Sequence, residues 1–241
     1  MALLEVQGVS RYFGGLRAVD HVDMVVGEGE LVGLIGPNGA GKTTLFRVIA
    51  GVYPPSAGQV IFNGESVGGL HPNRVCHKGI TSTHQVVRPF PALTVLENVL
   101  VGVQYGNVRS GDPRQRAREV LEFVGLAHRA DVLARNLTLP DRKRLEVARA
   151  LGTGPKLLLL DEVIAGLNQT EAARTMDLIR SIKRQGVTIL MIEHNMRVIM
   201  GLSDRIVVLH HGEKIADAPP EQVSRDPKVI EAYLGESPVS A

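Results

Sequence analysis

A chain of 241 residues with 44% hydrophobic content has room for one large domain or two intimate ones, and enough apolar matter for a real core. Its 27 basic and 25 acidic residues leave a net charge of +2, which gives no reason to expect nucleic acid or an anionic membrane surface as the main partner. The single cysteine, Cys76, excludes an internal disulfide framework, and with only His71 and His77 nearby it lacks the clustered spacing of a zinc site.

The opening stretch MALLEVQG has no basic n-region and carries Glu5, so it does not read as a signal peptide. ELVGLI (30–35) is a short apolar run with a glycine-rich turn after it, the pattern of a buried strand, and 42–50 has helical spacing. After a strand at 79–83 the character changes. TVLENVLVGV (94–103), PRQRAREVLEFVG (113–125) and DRKRLEVARAL (141–151) are amphipathic and helical, with Leu121, Val124, Leu145, Ala148 and Leu151 marking apolar faces. NVRSGDP (107–113) reads as a connection between two of them.

KLLLLDE (156–162) and VTILMIEH (187–194) repeat the buried-strand pattern, each ending in polar residues. Helical segments at 169–185 and 195–201 alternate with them, and RIVVLHHGEKIAD (205–217) reads as two strands around an HG turn. This predicts an α/β fold with helices on a mostly parallel sheet. A core from 1–85 and 155–220 would carry an inserted helical subdomain at 86–154 and a helical tail at 221–241. No apolar run approaches the roughly 20 residues of a membrane-crossing helix; the longest, VTILMIEHNMRVIMGL, is cut by Glu193 and His194.

Gly36-Pro37-Asn38-Gly39-Ala40-Gly41-Lys42-Thr43 matches G-x-x-x-x-G-K-[ST] between a predicted strand and a predicted helix. Glycines let the backbone curl until successive N–H groups point inward as an anion nest. The helix dipole, the Lys42 charge and a Thr43 hydroxyl for Mg²⁺ complete a site for a nucleotide triphosphate. Strand 157–160 ends in Asp161-Glu162, and carboxylates placed so need a partner. Nucleotide-bound Mg²⁺ is that partner for Asp161, while Glu162 faces differently and suits the orientation or deprotonation of a water. His194, at the end of another strand, is placed over the phosphates in such a fold.

The stretch NLTLPDRKRLEVARA (136–150) admits two readings. Thr138 and Asp141 fit a capping box, and Pro140 is tolerated in a first helical turn. Arg142, Lys143 and Arg144 follow at once, so the helix start is also positive enough to favour an anion.

Taken together these residues resemble the nucleotide-binding subunit of an ABC transporter, over about residues 3 to 235. YFGGLRAVDHV (12–22), FPALTVLENVLVG (90–102), AGLN (165–168), MIEHNMRVIMGLSDRIVVLHHGEKIA (191–216) and RDPKVIEAYLG (225–235) look like the branched-chain amino acid importer group, and more like its G-type than its F-type ATPase. The resemblance implies a single ABC ATPase domain: a P-loop core with an antiparallel β subdomain and an inserted helical subdomain. It implies that Phe13, with Tyr12 as second choice, stacks on adenine and that Gly36 to Thr44 hold the phosphates of ATP. Gln85 would touch Mg²⁺ or the attacking water. Asp161 would hold Mg²⁺ through water, Glu162 would be the general base, and His194 would meet the γ-phosphate. It further implies a second ATPase subunit, either identical or F-type, with ATP sandwiched between the two. Transmembrane permease subunits, an external substrate-binding protein and a place on the cytoplasmic face of the inner membrane complete the expectation, with no nucleic acid.

Leu137-Thr138-Leu139-Pro140-Asp141 stands where the family has Leu-Ser-Gly-Gly-Gln, the helix start that completes the partner's site. Thr138 keeps a hydroxyl, Leu139 and Pro140 replace both glycines, and proline has no N–H to offer a phosphate oxygen. Asn168 takes a place where many relatives have Asp, and Ser82 and His84 stand where the importer group often has Arg and Phe. A P-loop kinase or GTPase is disfavoured, since the chain has no N-K-x-D for guanine and no acceptor lid. A partner that closes on ATP without hydrolysing it is the alternative that the altered helix start suggests.

Overall fold

The computed structural model describes residues 1–83, 89–107 and 111–234. In chain order, β1 (Ala2–Phe13) and β2 (Leu16–Gly27) lead to β3 (Leu31–Ile35) and α1 (Lys42–Ile49). β4 (Ala57–Phe62), β5 (Glu65–Ser66), α2 (Pro72–Lys78) and β6 (Ile80–Ser82) follow. Next come α3 (Val95–Tyr105), α4 (Pro113–Phe123) and α5 (Leu139–Gly152). The chain then runs through β7 (Leu157–Asp161), α6 (Gln169–Arg184), β8 (Thr188–Ile192) and α7 (Met196–Leu202). The hairpin β9 (Arg205–His210) and β10 (Glu213–Ala218) precedes two short helices, α8 (Pro220–Val223) and α9 (Pro227–Leu234).

These elements form two compact units, Met1–Pro72 with Thr188–Ala241, and Asn73–Val187. In the first, β3 pairs in parallel with both β8 and β9, and β10 runs antiparallel to β9. Every residue of β3 and β8 is buried, which is why both segments are continuous apolar runs rather than alternating ones. Gly33 in β3 is required by α7: a Cβ there would lie 2.7 Å from Ile199 Cγ1 and from Ser203 Oγ. A second, antiparallel sheet orders its strands β2-β1-β4-β5. The chain-order reading assigns no strand to residues 2–27, although Val22, Met24 and Val26 alternate inward with Asp23 and Val25 outward. The Gly14-Gly15 turn between β1 and β2 was the available hairpin signal, and Gly14 has φ +58°.

In the second unit, β6 and β7 pair in parallel and β7 is buried throughout. Helices α3, α4 and α5 close over a separate apolar cluster that includes Val95, Val99, Leu121, Leu126, Leu145 and Ala148. Helices α3 and α5 approach closely at Gly102, where a Cβ would meet the Arg149 carbonyl oxygen at 2.3 Å. Thr94 and Glu97 form a full capping box at the start of α3. Asn98, wholly buried, accepts from the Phe90 N–H at 2.8 Å and donates to the Phe90 and Thr94 carbonyls at 3.1 and 2.9 Å, fixing the entry to the helix. Of the expected connection at 107–113, residues 108–110 lie outside the described residues; at its end the Asp112 carboxylate caps α4 by accepting from the Arg114 N–H.

Candidate functional site

The loop from Gly36 to Gly41 is built on three left-handed glycines. Two cannot be anything else. A Cβ on Gly36, at φ +147°, would lie 2.0 Å from the Leu209 carbonyl oxygen, and one on Gly41, at φ +98°, would lie 2.3 Å from that of Ala18. Gly39, at φ +78°, differs: a Cβ there meets nothing within 4 Å, so this point of the curl faces open space. Gly41 is the N-cap of α1 and makes no side-chain cap bond, which keeps the first N–H groups of the helix clear of the loop's own side chains. Lys42 is buried, and its Nζ donates to the Gly36 and Pro37 carbonyls at 2.5 and 2.7 Å. Thr43 and Thr44 are half-buried on the first turn, Ala40 is buried and Asn38 exposed.

The same unit carries Phe13, Tyr12 and His194. Phe13 leaves 38% of its surface exposed, enough for a base to lie on. Its ring meets Tyr53 edge-on with centroids 5.2 Å apart, and the Arg11 guanidinium lies 4.6 Å from its centre. Sequence reasoning missed Tyr53 because only the fold brings it beside β1. The Tyr12 hydroxyl is turned away to Asp20 at 3.2 Å, which favours Phe13 of the two. The Asp20 carboxyl is held below the usual carboxylate range, first by its hydrogen bond from Arg17. His194 is exposed in the turn between β8 and α7, while Glu193 beside it is buried.

In the second unit Asp161 ends β7 in a buried position, its N–H donating to Thr83 Oγ1 at 3.1 Å. Glu162, half-buried, takes φ +50°, an unusual conformation for a side chain of its size. The start of α5 corrects one expectation. Of the three basic residues read as an anion-facing run, Lys143 is buried with its Nζ donating to the Glu162 carbonyl at 3.0 Å and to the Ala165 carbonyl. Arg142 Nη2 donates to the Arg135 carbonyl at 2.8 Å. Both head groups therefore serve the unit's own backbone. Thr138 is the N-cap of α5, its hydroxyl accepting from the Asp141 N–H at 3.4 Å without the return bond of a full box. Asn168 makes both halves of a capping box with Glu171, which gives it a local role at the start of α6. Ser82 ends β6; His84 and Gln85 lie outside the described residues.

A nucleotide triphosphate needs clear backbone donors and a cation, and Mg²⁺ needs hydroxyl and carboxylate oxygens. The residues of the first unit fit the phosphates, with the open curl at Gly39, Lys42 and the Thr43 hydroxyl, and the second unit carries at Asp161 a carboxylate of the kind Mg²⁺ takes. P-loop nucleotide-binding proteins are the class such a loop defines, since a bare glycine curl running from a buried strand into a helix serves little else. A model of the ABC transporter family matches residues 19–165, and one described as branched-chain amino acid ATP-binding cassette transporter matches 213–238. The chain is 40% identical to the high-affinity branched-chain amino acid transport ATP-binding protein LivG of Escherichia coli strain K12, over 98% of both chains. It is equally 40% identical, with the same coverage, to BraF of Pseudomonas aeruginosa, which bears the same description.

Among solved structures it resembles a nucleotide-free ATP-binding cassette from an ABC transporter at a TM-score of 0.89 and 32% identity, over 98% of this chain and all of that one. It also resembles a dimeric post-hydrolysis cassette bound to ADP and Pi at a TM-score of 0.80 and 25% identity, over 90% and 98%. The chain belongs to the ABC transporter family, with that family's α/β P-loop fold, and is an ATP-binding subunit that hydrolyses ATP. ABC ATPases act as dimers with membrane permease subunits. No helix among the described residues is long and apolar enough to cross a membrane.

Proposed function

We propose that this chain is the motor subunit of an importer for branched-chain amino acids or related small amides. The observation that carries this reading is the 40% identity along the whole chain to LivG and BraF, extended by the match at 213–238. The subunit works on the cytoplasmic face of the inner membrane, beside permease subunits served by an external binding protein, and pairs with an F-type ATPase or a second copy of itself. Residues 86–154 act as the helical subdomain that passes closure to the permease, with 88–99 as the docking stretch.

Bound Mg-ATP supplies the phosphoanhydride and most of its charge neutralisation. The chain's own residues position and activate. Gly36 to Thr44, apart from Pro37, present backbone N–H groups and Lys42 to the phosphates, and Phe13 carries the adenine. Thr43, Asp161 and Gln85 would hold Mg²⁺, which neutralises phosphate charge when bound. Glu162 takes the proton of the attacking water, and His194 fixes the γ-phosphate.

The start of α5 favours a second element in this reading. Pro140 has no N–H, the Asp141 N–H is engaged by Thr138, and Leu139 obstructs backbone approach. Thr138 remains as the residue nearest the partner's γ-phosphate. Removing one positioned donor costs about 3 kcal/mol, or roughly a hundredfold in rate. The ATP site that α5 completes therefore turns over slowly or holds ATP passively, while the site on this chain's own loop, completed by its partner, hydrolyses.

The reconstituted transporter tests both elements. Leucine, isoleucine and valine should enter vesicles in an ATP-dependent manner that Lys42→Ala abolishes; uptake that survives Lys42→Ala, or that accepts only unrelated solutes, sinks the cargo assignment. Glu162→Gln should remove most hydrolysis, and retention of most of it would show that the active site has been assigned to the wrong subunit.

A further inference from the structure

Lys143 sits one turn into α5 with its ammonium buried, a costly place for a charge unless it is fully engaged. It is engaged by backbone: Nζ donates to the Glu162 carbonyl at 3.0 Å and to the Ala165 carbonyl, both charge-assisted bonds. The segment it grips is unusual. Glu162 has φ +50°, its carbonyl also accepts from the Ala165 N–H at 3.3 Å, and Gly166 follows at φ +76°. A side chain as long as glutamate does not hold a left-handed conformation without surroundings that impose it. Leu139, four residues before Lys143 and so on the same helix face, lies over the same segment: a Cβ on Gly166 would be 3.6 Å from Leu139 Cδ2.

We infer that Lys143 is a positioning residue for hydrolysis: its ammonium pins the Glu162–Ala165 turn and so aims the Glu162 carboxylate at the attacking water. This rests on the proposal that Glu162 is the general base. The same lysine joins the helix start that completes a partner's site to the base that serves this chain's own site. A shift of α5 on meeting the partner's nucleotide thus reaches Glu162 through this buried contact. A misplacement of about 1 Å in such a group is worth on the order of a hundredfold in rate.

The test uses the full-length chain in the reconstituted transporter, with Mg-ATP turnover and Mg-ADP affinity by calorimetry as readouts. Lys143→Met should lower kcat about tenfold to a hundredfold with Mg-ADP affinity within about twofold of wild type. Lys143→Arg, which keeps a donor in reach of both carbonyls, should lose less. In a Glu162→Gln background Lys143→Met should cost nothing further, since the group it aims is already disabled. If Lys143→Met does not fold, Lys143→Gln takes its place with the same expectations. Wild-type turnover in Lys143→Met, equal losses in the Met and Arg variants, or loss of affinity together with turnover overturns the inference while leaving the base assignment standing. Wild-type turnover in Glu162→Gln overturns the base assignment, and the inference with it.

Discussion

Helices α1 and α5 begin with the same electrostatic asset and dispose of it in opposite ways. Each opens with unpaired N–H groups and the positive end of a dipole. At α1 the cap is Gly41, which supplies no side chain, and the preceding turn is held by glycines at φ values that other residues resist, so the donors stay available to a ligand. At α5 the cap is Thr138, whose hydroxyl takes the Asp141 N–H, and Pro140 removes another donor outright. The basic residues differ in which backbone they grip: Lys42 is buried against the carbonyls of Gly36 and Pro37 in the phosphate-binding loop itself, whereas Lys143 is buried against the Glu162–Ala165 turn. A helix start binds an anion only when its sequence refrains from binding itself.

The largest test of that contrast is Gly36→Ala. Its Cβ would fall on the Leu209 carbonyl, so the loop must open or β3 must separate from β9. We expect loss of Mg-ADP uptake by calorimetry and a fall in Tm of several degrees, each kcal/mol lost being about 2 to 4 °C for a chain of this size. Retained uptake would mean that the curl is not the phosphate cradle.

A change of intermediate size comes from making α5 resemble α1. The double change Leu139→Gly and Pro140→Gly frees the backbone and returns an N–H. Turnover at the site α5 completes should rise roughly tenfold to a hundredfold, measured as Mg-ATP hydrolysis by the assembled pair. An unchanged rate would leave α5 as a merely capped and packed helix.

The smallest effect is Thr138→Ala, which sharpens the same distinction. Loss of the cap should cost about 1 kcal/mol of stability by denaturant unfolding. If Thr138 also meets a partner's phosphate, turnover falls with it; if only stability moves, capping is its whole role.

Much of the site was legible because it is written in contiguous residues. The curl of 36–43 needs glycines at fixed offsets, and the buried strands before Gly36 and Asp161 show as unbroken apolar runs. Phe13 and the whole of β1 and β2 were reached only by resemblance, since Gly8 and the register shifts around Val9 break the alternation of β1, although β2 alternates from Val22 to Val26. Tyr53, forty positions beyond Phe13 in the chain, carried no local sign that the two rings meet.

Local pattern therefore marked the buried strands β3, β7 and β8, the amphipathic helices, the glycine loop and the carboxylates at the end of β7, because backbone geometry imposes those spacings on near neighbours. Which backbone a given charge grips was settled only by packing. Lys143 and Lys42 are alike in sequence as basic residues at helix starts and both are buried on backbone carbonyls, but Lys42 grips the loop just before it in the chain, whereas the Glu162–Ala165 turn that Lys143 grips is distant along the chain.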